Sequence, residues 1–463
     1  MSPGGISRRT FLGASVAAVT LTALDPGQAG ALGALPRAAV PAPTASVVTR
    51  WAADPFSRGS HSFARVGATS ADRRVLAAPV GPQLFFAGEA TSEDHPSTVH
   101  GALLSGRRAA REVTAAARPG ARVLVVGSGM AGLAAAVHLD VQGYRVTVLE
   151  ARGRLGGRIA TNRVLGAPVE LGAIWVHGVD GNPVTAIADH IGATRVGTNY
   201  GRAVRYGANG RVLSPGAVRA VDAGYDRALQ AADHGRAQLA GDLPLGTALD
   251  NSRPYRGADP VLRQRLACVV NTSIEQPRGA DVAELSLLHW DEGHGFAGAD
   301  DVLRAGFDQI VDHAARDLDV RRRTVVERIG YDRTGVTVST TAGPFAADHA
   351  VITLPLGVLR AGAVTFDPPL PDAKADAAAA LGSGVVNHVA LRFPRVFWDA
   401  HAPLLDHVDT TPGRWSRWLN VAAYTGAPIL LGLSSGSYAL QLEAQTDETI
   451  VADALGVLRS IYD

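Results

Sequence analysis

The stretch VLVVGSGMAGLAAA (residues 123–136) decides the fold. An apolar run ends at Gly127, and glycine recurs at Gly129 and Gly132 before an alanine-rich helical pattern. The first glycine permits a tight turn, the second lets a pyrophosphate approach the backbone, and the third lets helix pack on strand. The helix expected at 131–142 begins beside Met130 and Ala131. Its free N–H groups and partial positive charge suit phosphate. A second alternating run, YRVTVL (residues 144–149), ends at Glu150, at the ~20-residue spacing of an acid that binds ribose hydroxyls. An acid there disfavours a 2′-phosphate. These residues predict an α/β protein with a Rossmann-type domain that binds FAD or NAD rather than NADP.

Composition sets the limits around that unit. A chain of 463 residues with 46% hydrophobic and 19% charged residues is long enough for two well-buried domains. The net charge is +1, and the densest basic cluster, at 321–323, reads as a solvated turn before a strand. Nucleic acid and anionic membrane are therefore not expected as partners. The single cysteine, Cys268, cannot form an internal disulfide, and no metal site is expected. Near the N-terminus, SRRTFL (residues 7–12) opens an apolar stretch at 11–24 that is too short and too polar to span a membrane. It resembles a twin-arginine export signal, with a small-residue cleavage site near 29–31. The protein is thus expected outside the cytoplasm, extracellular or in the cell envelope, with no membrane contact beyond the export machinery. Helices are also expected at 304–318 and 447–462, and strands at 336–341 and 350–354.

Three further stretches carry the chemistry. ARGRLGGR (residues 151–158) places Ala151 and Arg152 after the acid, then Gly156 and Gly157 for close backbone approach, then Arg158 for a phosphate or flavin edge. VELGAIWVHG (residues 169–178) contains Trp175 and His177. LFFAGEATSEDHPSTVHGALLSGRRAA (residues 84–110) contains Gly88 and Glu89 after a strand, then Thr98 and Val99 at the start of a helix. Together these resemble the flavin-containing amine oxidase family, in particular polyamine oxidases and lysine-specific histone demethylases. Similarity extends through LSLLHWD (285–291), Val326, TLPLGVL (353–359), FDPPLP (366–371) and RVFWD (395–399). In the family, the segment at 84–110 lies at the C-terminus and closes over the flavin. Here it precedes the glycine loop, so the chain resembles a circularly permuted member. The resemblance implies a discontinuous division: 1–31 signal; 76–178 and 291–365 FAD-binding domain; 32–75, 179–290 and 366–463 an α+β substrate domain.

The resemblance further implies oxidation of a small amine to an imine and aldehyde, with O₂ reduced to H₂O₂. Two departures bear on this. Most relatives carry a lysine beside the flavin where this chain has His388, and Lys374 is the only lysine present. A histidine of ordinary pKa is mostly neutral near pH 7. At the first aromatic wall of the amine cage stands His61, within GSHSF, with Phe63 two residues on. Such cages hold an amine by cation–π contact and desolvate it toward the reactive neutral form. Ser60 occupies the place of the flavin-linking cysteine of monoamine oxidases, so FAD is expected to be non-covalent. His388, His61, Trp175, His177, Phe63 and Trp398 are the residues expected around the amine. An L-amino-acid oxidase of the same fold, with an arginine clamping a carboxylate, and a non-catalytic flavoprotein are the alternatives.

Overall fold

In the computed structural model, which describes residues 39–236 and 239–463, the apolar run Arg122–Val126 is the centre of a five-stranded parallel sheet. Val123, Leu124, Val125 and Val126 are all buried, as a strand covered on both faces requires. Arg145–Leu149 and His349–Ile352 flank it, with Asp319–Arg321 and Leu84–Phe86 at the edges. Val126 lies opposite Leu149 and Ile352, and Ile352 opposite Phe86. The carboxyl ends of these strands therefore share one rim, from which the glycine loop, Glu150, Thr353 and Gly88 emerge. The export segment expected at 1–31 lies outside the described residues.

Side-chain alternation divides the sheet into two cores. Phe85, Val123, Val125, Val148 and Val351 face the helices Met130–Val141 and Val99–Ala116. Leu84, Phe86, Leu124, Val126 and Ile352 face a four-stranded sheet built from Val326–Asp332, Gly335–Thr340, Gly343–Ala347 and Thr365–Asp367. The two helices nearly touch through backbone: a Cβ on Gly106 would lie 2.1 Å from the carbonyl oxygen of Ala131. A short turn at 117–121, with Gly120 at φ +75°, carries the chain from the end of Val99–Ala116 into the central strand.

A second, six-stranded sheet has the order Ala45–Val48, Val386–Arg392, Ile429–Ser435, Arg417–Asn420, Leu404–His407, Val204–Tyr206. One face packs on the C-terminal helix Asp447–Tyr462, through Val389, Leu391, Trp418, Ile450 and Leu458. The other, through Ala390, Leu419 and Leu431, packs on Leu171 and Ile174. A helical layer, Pro215–Arg236, Leu245–Asn251 and Pro260–Val270, forms a further core with Tyr225, Leu266 and Trp290. Asp463 accepts a 2.7 Å hydrogen bond on Oδ1 from the backbone N–H of Val40.

One element differs from expectation. The helix read at 304–318 is only Asp308–Ala315, and the strand Asp301–Leu303 precedes it, paired with Trp175–Val176 and Arg195–Gly197. Gly306 sits at φ +107°, which ends any helical run. The apolar spacing misleads because Leu303, Phe307, Ile310 and Val311 all enter one core across the turn.

Candidate cofactor and amine site

Each glycine of the loop has its own spatial reason. Gly127 adopts φ +103°, and a Cβ there would lie 2.6 Å from Thr353 Oγ1. A Cβ on Gly132 would lie 2.0 Å from the Gly127 carbonyl oxygen, so helix and strand touch. At Gly129 the nearest atom to a Cβ is 4.0 Å away, leaving its backbone open. Gly156 and Gly157, at φ +91° and +60°, fold over this loop, with the Gly156 N–H bonded to the Ser128 carbonyl at 3.0 Å. The helix Met130–Val141 has no side-chain N-cap, so its first-turn N–H groups remain for a ligand. Met130 and Ala131 themselves are buried.

Glu150 is buried at the end of its strand. Its Oε2 accepts from the N–H and hydroxyl of Ser128 at 3.0 and 2.6 Å, and Oε1 from the Arg152 N–H at 2.7 Å. The Arg152 guanidinium pairs with Asp54 and the Ser57 hydroxyl, leaving its backbone as the part near the loop. Ala151 lies between these two residues, half-buried. Val326 opens the strand beside them, at a bulge that ends by Arg328, and the Thr324 N–H bonds the Glu150 carbonyl at 2.8 Å.

The closing segment arrives from the other side of the rim. Gly88 takes φ +137° and donates its N–H to Ser105 Oγ at 2.9 Å. Glu89 is the hub of a buried network: Oε1 accepts from Arg158 at 2.9 Å and the Ser62 N–H at 3.1 Å. Its Oε2 accepts from the Ser62 hydroxyl at 2.6 Å and the Ser97 N–H at 2.9 Å. Burial pushes this carboxyl up, but Arg158, the Ser62 hydroxyl and Arg73 outweigh it and hold the pKa at about 2. Arg158 also donates to the Ser60 carbonyl at 3.0 Å. Thr98 caps the helix Val99–Ala116 by accepting the Gly101 N–H on Oγ1 at 2.9 Å.

Of the two histidines expected around the amine, His61 adjoins this network and His388 lies on the strand Val386–Arg392. His388 is buried, and its Nδ1 donates to the Leu171 carbonyl at 3.0 Å, which leaves Nε2 as the acceptor nitrogen. The same carbonyl accepts the Trp51 indole N–H at 2.9 Å. Burial pushes the His388 pKa down to about 4, so the ring is neutral through the physiological range. His61 lies on the short strand His61–Phe63, paired with Gly382–Gly384. Its Nδ1 is buried without a partner among the described residues. Burial, helped by Arg158 and opposed by Glu89, lowers its pKa to about 4.

Trp175 donates from Nε1 to Thr198 Oγ1 at 3.0 Å, and its ring centroid lies 6.2 Å from that of His177. His177 approaches Asp300, Nδ1 to Oδ2, at 3.1 Å. Asp300 also accepts from the Gly178 N–H at 2.9 Å and the Tyr200 hydroxyl at 2.8 Å. Burial works against its ionisation, but these partners hold it at about 2. Asp300 and Tyr200 escaped sequence reading because neither lies in a recurring motif; only the fold brings them to His177.

The structure does not bring Trp398 to His388. Val389 and Leu391 share a core with Trp398, whereas Ala390, in register with His388, faces the opposite side of the sheet. The Trp398 indole is bound to Asn420 Oδ1 at 2.8 Å. Phe63 packs into the helical layer with Tyr225 and Trp290, its ring over Gly382. A cavity of about 520 Å³ lies elsewhere, along the outer side of the helix Met130–Val141.

Open backbone at Gly129, uncapped helix N–H groups and the acid of Glu150 fit a dinucleotide with its phosphates at the loop and its ribose at the strand end. The second helix N-terminus and the buried network around Glu89 fit a ring system that gains negative charge on reduction. That combination defines a flavin-dependent oxidoreductase. The profile of flavin containing amine oxidoreductases matches residues 29–114 and 130–463, and the chain belongs to this family; it is an FAD-dependent amine oxidase. Among similar proteins, polyamine oxidase 4 of Oryza sativa subsp. japonica is 33% identical over 347 residues, 71% of this chain and 70% of that protein. A probable polyamine oxidase 4 of Arabidopsis thaliana is 34% identical over 360 residues, covering 73% and 71%. In fold, the chain resembles a putrescine oxidase bound to putrescine, with TM-score 0.58, 18% identity and coverage of 74% and 81%. A cyclohexylamine oxidase from Brevibacterium oxydans IH-35A gives TM-score 0.56 at 23% identity, covering 74% and 82%.

Proposed function

We propose that this protein is an exported oxidase of polyamine-type substrates that passes electrons to O₂ and forms H₂O₂. The observation that carries this reading is two uncharged imidazoles: His61, beside Arg158 and Glu89 on the strand paired with Gly382–Gly384, and His388, buried on the strand Val386–Arg392 that follows. An alkylammonium that enters such a site loses hydration, with the positive charges of Arg158 and Arg278 nearby. Its pKa falls, and the neutral amine needed for oxidation accumulates. Bound FAD supplies the two-electron acceptor for the amine α-carbon. The chain's own groups orient the amine: His388 offers Nε2 as an acceptor for its N–H, and Trp175 and His177 are read as its outer walls.

The Ser60 hydroxyl bonds both the carbonyl and the N–H of Val386, at 3.1 and 2.8 Å, and offers no thioether chemistry, which supports a non-covalent flavin. Acid precipitation should then release the yellow chromophore into the supernatant. The permuted order of a Rossmann-type FAD domain and a substrate domain, divided as given above, is supported by the Val40–Asp463 hydrogen bond and by the short turn at 117–121. Export rests on the sequence at 7–31 alone.

Peroxide release from purified holoprotein against polyamines, monoamines and amino acids tests the assignment. Polyamine-dependent release is expected. Turnover with amino acids alone would replace it with an L-amino-acid oxidase, and flavin that no substrate reduces would leave a non-catalytic flavoprotein.

A further inference from the structure

We propose that His100 donates a hydrogen bond from Nε2 to the flavin, with Asn182 as the positioning residue that keeps the proton on that nitrogen. The inference rests on the reading that the helix Val99–Ala116 begins against the flavin ring. His100 is the second residue of that helix. Helical side chains lean toward the N-terminus, so its imidazole stands over the same end as the free N–H groups. The residue is only 2% exposed.

The tautomer follows from Asn182. Its Oδ1 accepts the Val184 N–H at 2.9 Å as the N-cap of the helix Pro183–His190, which fixes the orientation of the amide. The NH₂ group therefore faces the carbonyls of His177 and Gly178, each at 3.0 Å, and His100 Nδ1 at 3.3 Å. An amide nitrogen does not accept, so Nδ1 faces it with its lone pair, sharing a hydrogen with one of the carbonyls, and Nε2 carries the hydrogen. Nε2 is buried and has no hydrogen-bond partner among the described residues. Folded proteins seldom leave a buried donor unpaired unless a ligand supplies the acceptor.

The ring is also held in place. His95 and Phe296 stack on each other at 4.9 Å and meet the His100 ring edge-on at 5.1 and 5.2 Å. Burial, with His95 and His177 adding to it, pushes the His100 pKa down to about 3. The group is then a neutral donor at working pH. Such a donor reinforces the helix N-terminus where negative charge collects on a reduced or N5-adducted flavin.

Sulfite, which adds to flavin N5 and leaves that negative charge on the ring, is the probe. Holoenzyme of wild type, His100→Leu and His100→Gln is titrated with sulfite, and the flavin midpoint potential is measured. Loss of one donor in His100→Leu should weaken sulfite binding about tenfold and lower the potential. Gln, which carries an Nε2 donor at similar reach, should restore most of both. Sulfite binding unchanged in His100→Leu, or weakened equally in both variants, would overturn the proposal. If His100→Leu does not retain FAD, the Gln variant decides: wild-type sulfite affinity supports the donor, and weakened affinity overturns it. Wild-type protein that binds no FAD would instead defeat the flavin site itself.

Discussion

At the scale of single residues, burial has reset the acid–base chemistry. The family resemblance puts His388 at a position expected to hold lysine, and a histidine of ordinary pKa would gain charge as pH falls through ~6.5. The structure lowers that to about 4. Reoxidation of reduced enzyme by O₂, followed by stopped flow, should therefore be flat from pH 8 to 6 and accelerate only toward pH 4. His388→Lys, which restores a positive charge, should raise the rate at pH 8; equal rates would make His388 a packing residue. Glu170 is shifted the other way. Burial raises its pKa from 4.5 to about 7, against the hydrogen bonds from the Phe307 N–H and Thr161 hydroxyl. A carboxyl raised on folding contributes stability below 4.5 that is lost as pH rises through 7. Glu170→Gln cannot ionise, so its Tm should gain on wild type between pH 5 and pH 8. A Tm difference that stays constant with pH would show that Glu170 ionises as easily in the fold as out of it.

At the scale of elements, the glycines separate packing from ligand space. Gly106 lets two helices meet with a would-be Cβ 2.1 Å from the Ala131 carbonyl oxygen, and Gly129 opens onto space. Gly106→Ala should therefore cost about 2 kcal/mol or more of stability, as overpacking of a backbone contact. Gly129→Ala should leave the apoprotein's Tm nearly unchanged while weakening FAD binding at least tenfold, because its methyl enters the space read as the pyrophosphate's. Denaturant melts and FAD titration of both variants check this. Loss of stability at Gly129 with FAD affinity intact would reverse the assignment. The strand–loop–helix unit was legible because its signals are local: an apolar strand, three glycines and a helical repeat. The helix read at 304–318 was not, because apolar periodicity alone does not register the left-handed turn at Gly306.

At the scale of the whole molecule, the proposed permutation makes a direct test available. The turn at 117–121 joins the helix Val99–Ala116 to the strand Arg122–Val126, and Val40 meets Asp463 through one hydrogen bond. A chain rearranged to start at residue 122, run through Asp463, continue through a short flexible linker into residue 39 and end at 117 should fold and bind FAD. Its Tm should lie within several degrees of the original, since every packed element is retained and only loop closure changes. Thermal melts and flavin absorbance measure both. An insoluble or flavin-free product would place an essential contact in the turn at 117–121.

The strand–loop–helix unit read as the cofactor cradle was determined by the sequence itself. Glycine conformation, strand alternation and the position of an acid after a strand are set within some 30 residues. The C-terminal helix was equally readable, its span 447–462 matching Asp447–Tyr462. What only tertiary structure decided is which side chains share a face. Trp398 and His388 are ten residues apart, yet the sheet puts them on opposite sides. Asp300 and His177 are 123 residues apart, yet they are paired. Asn182 meets His100 Nδ1 across 82 residues of chain. A hydrogen bond or a buried pKa depends on neighbours in space, and those neighbours exist only once the sheets and helices have packed.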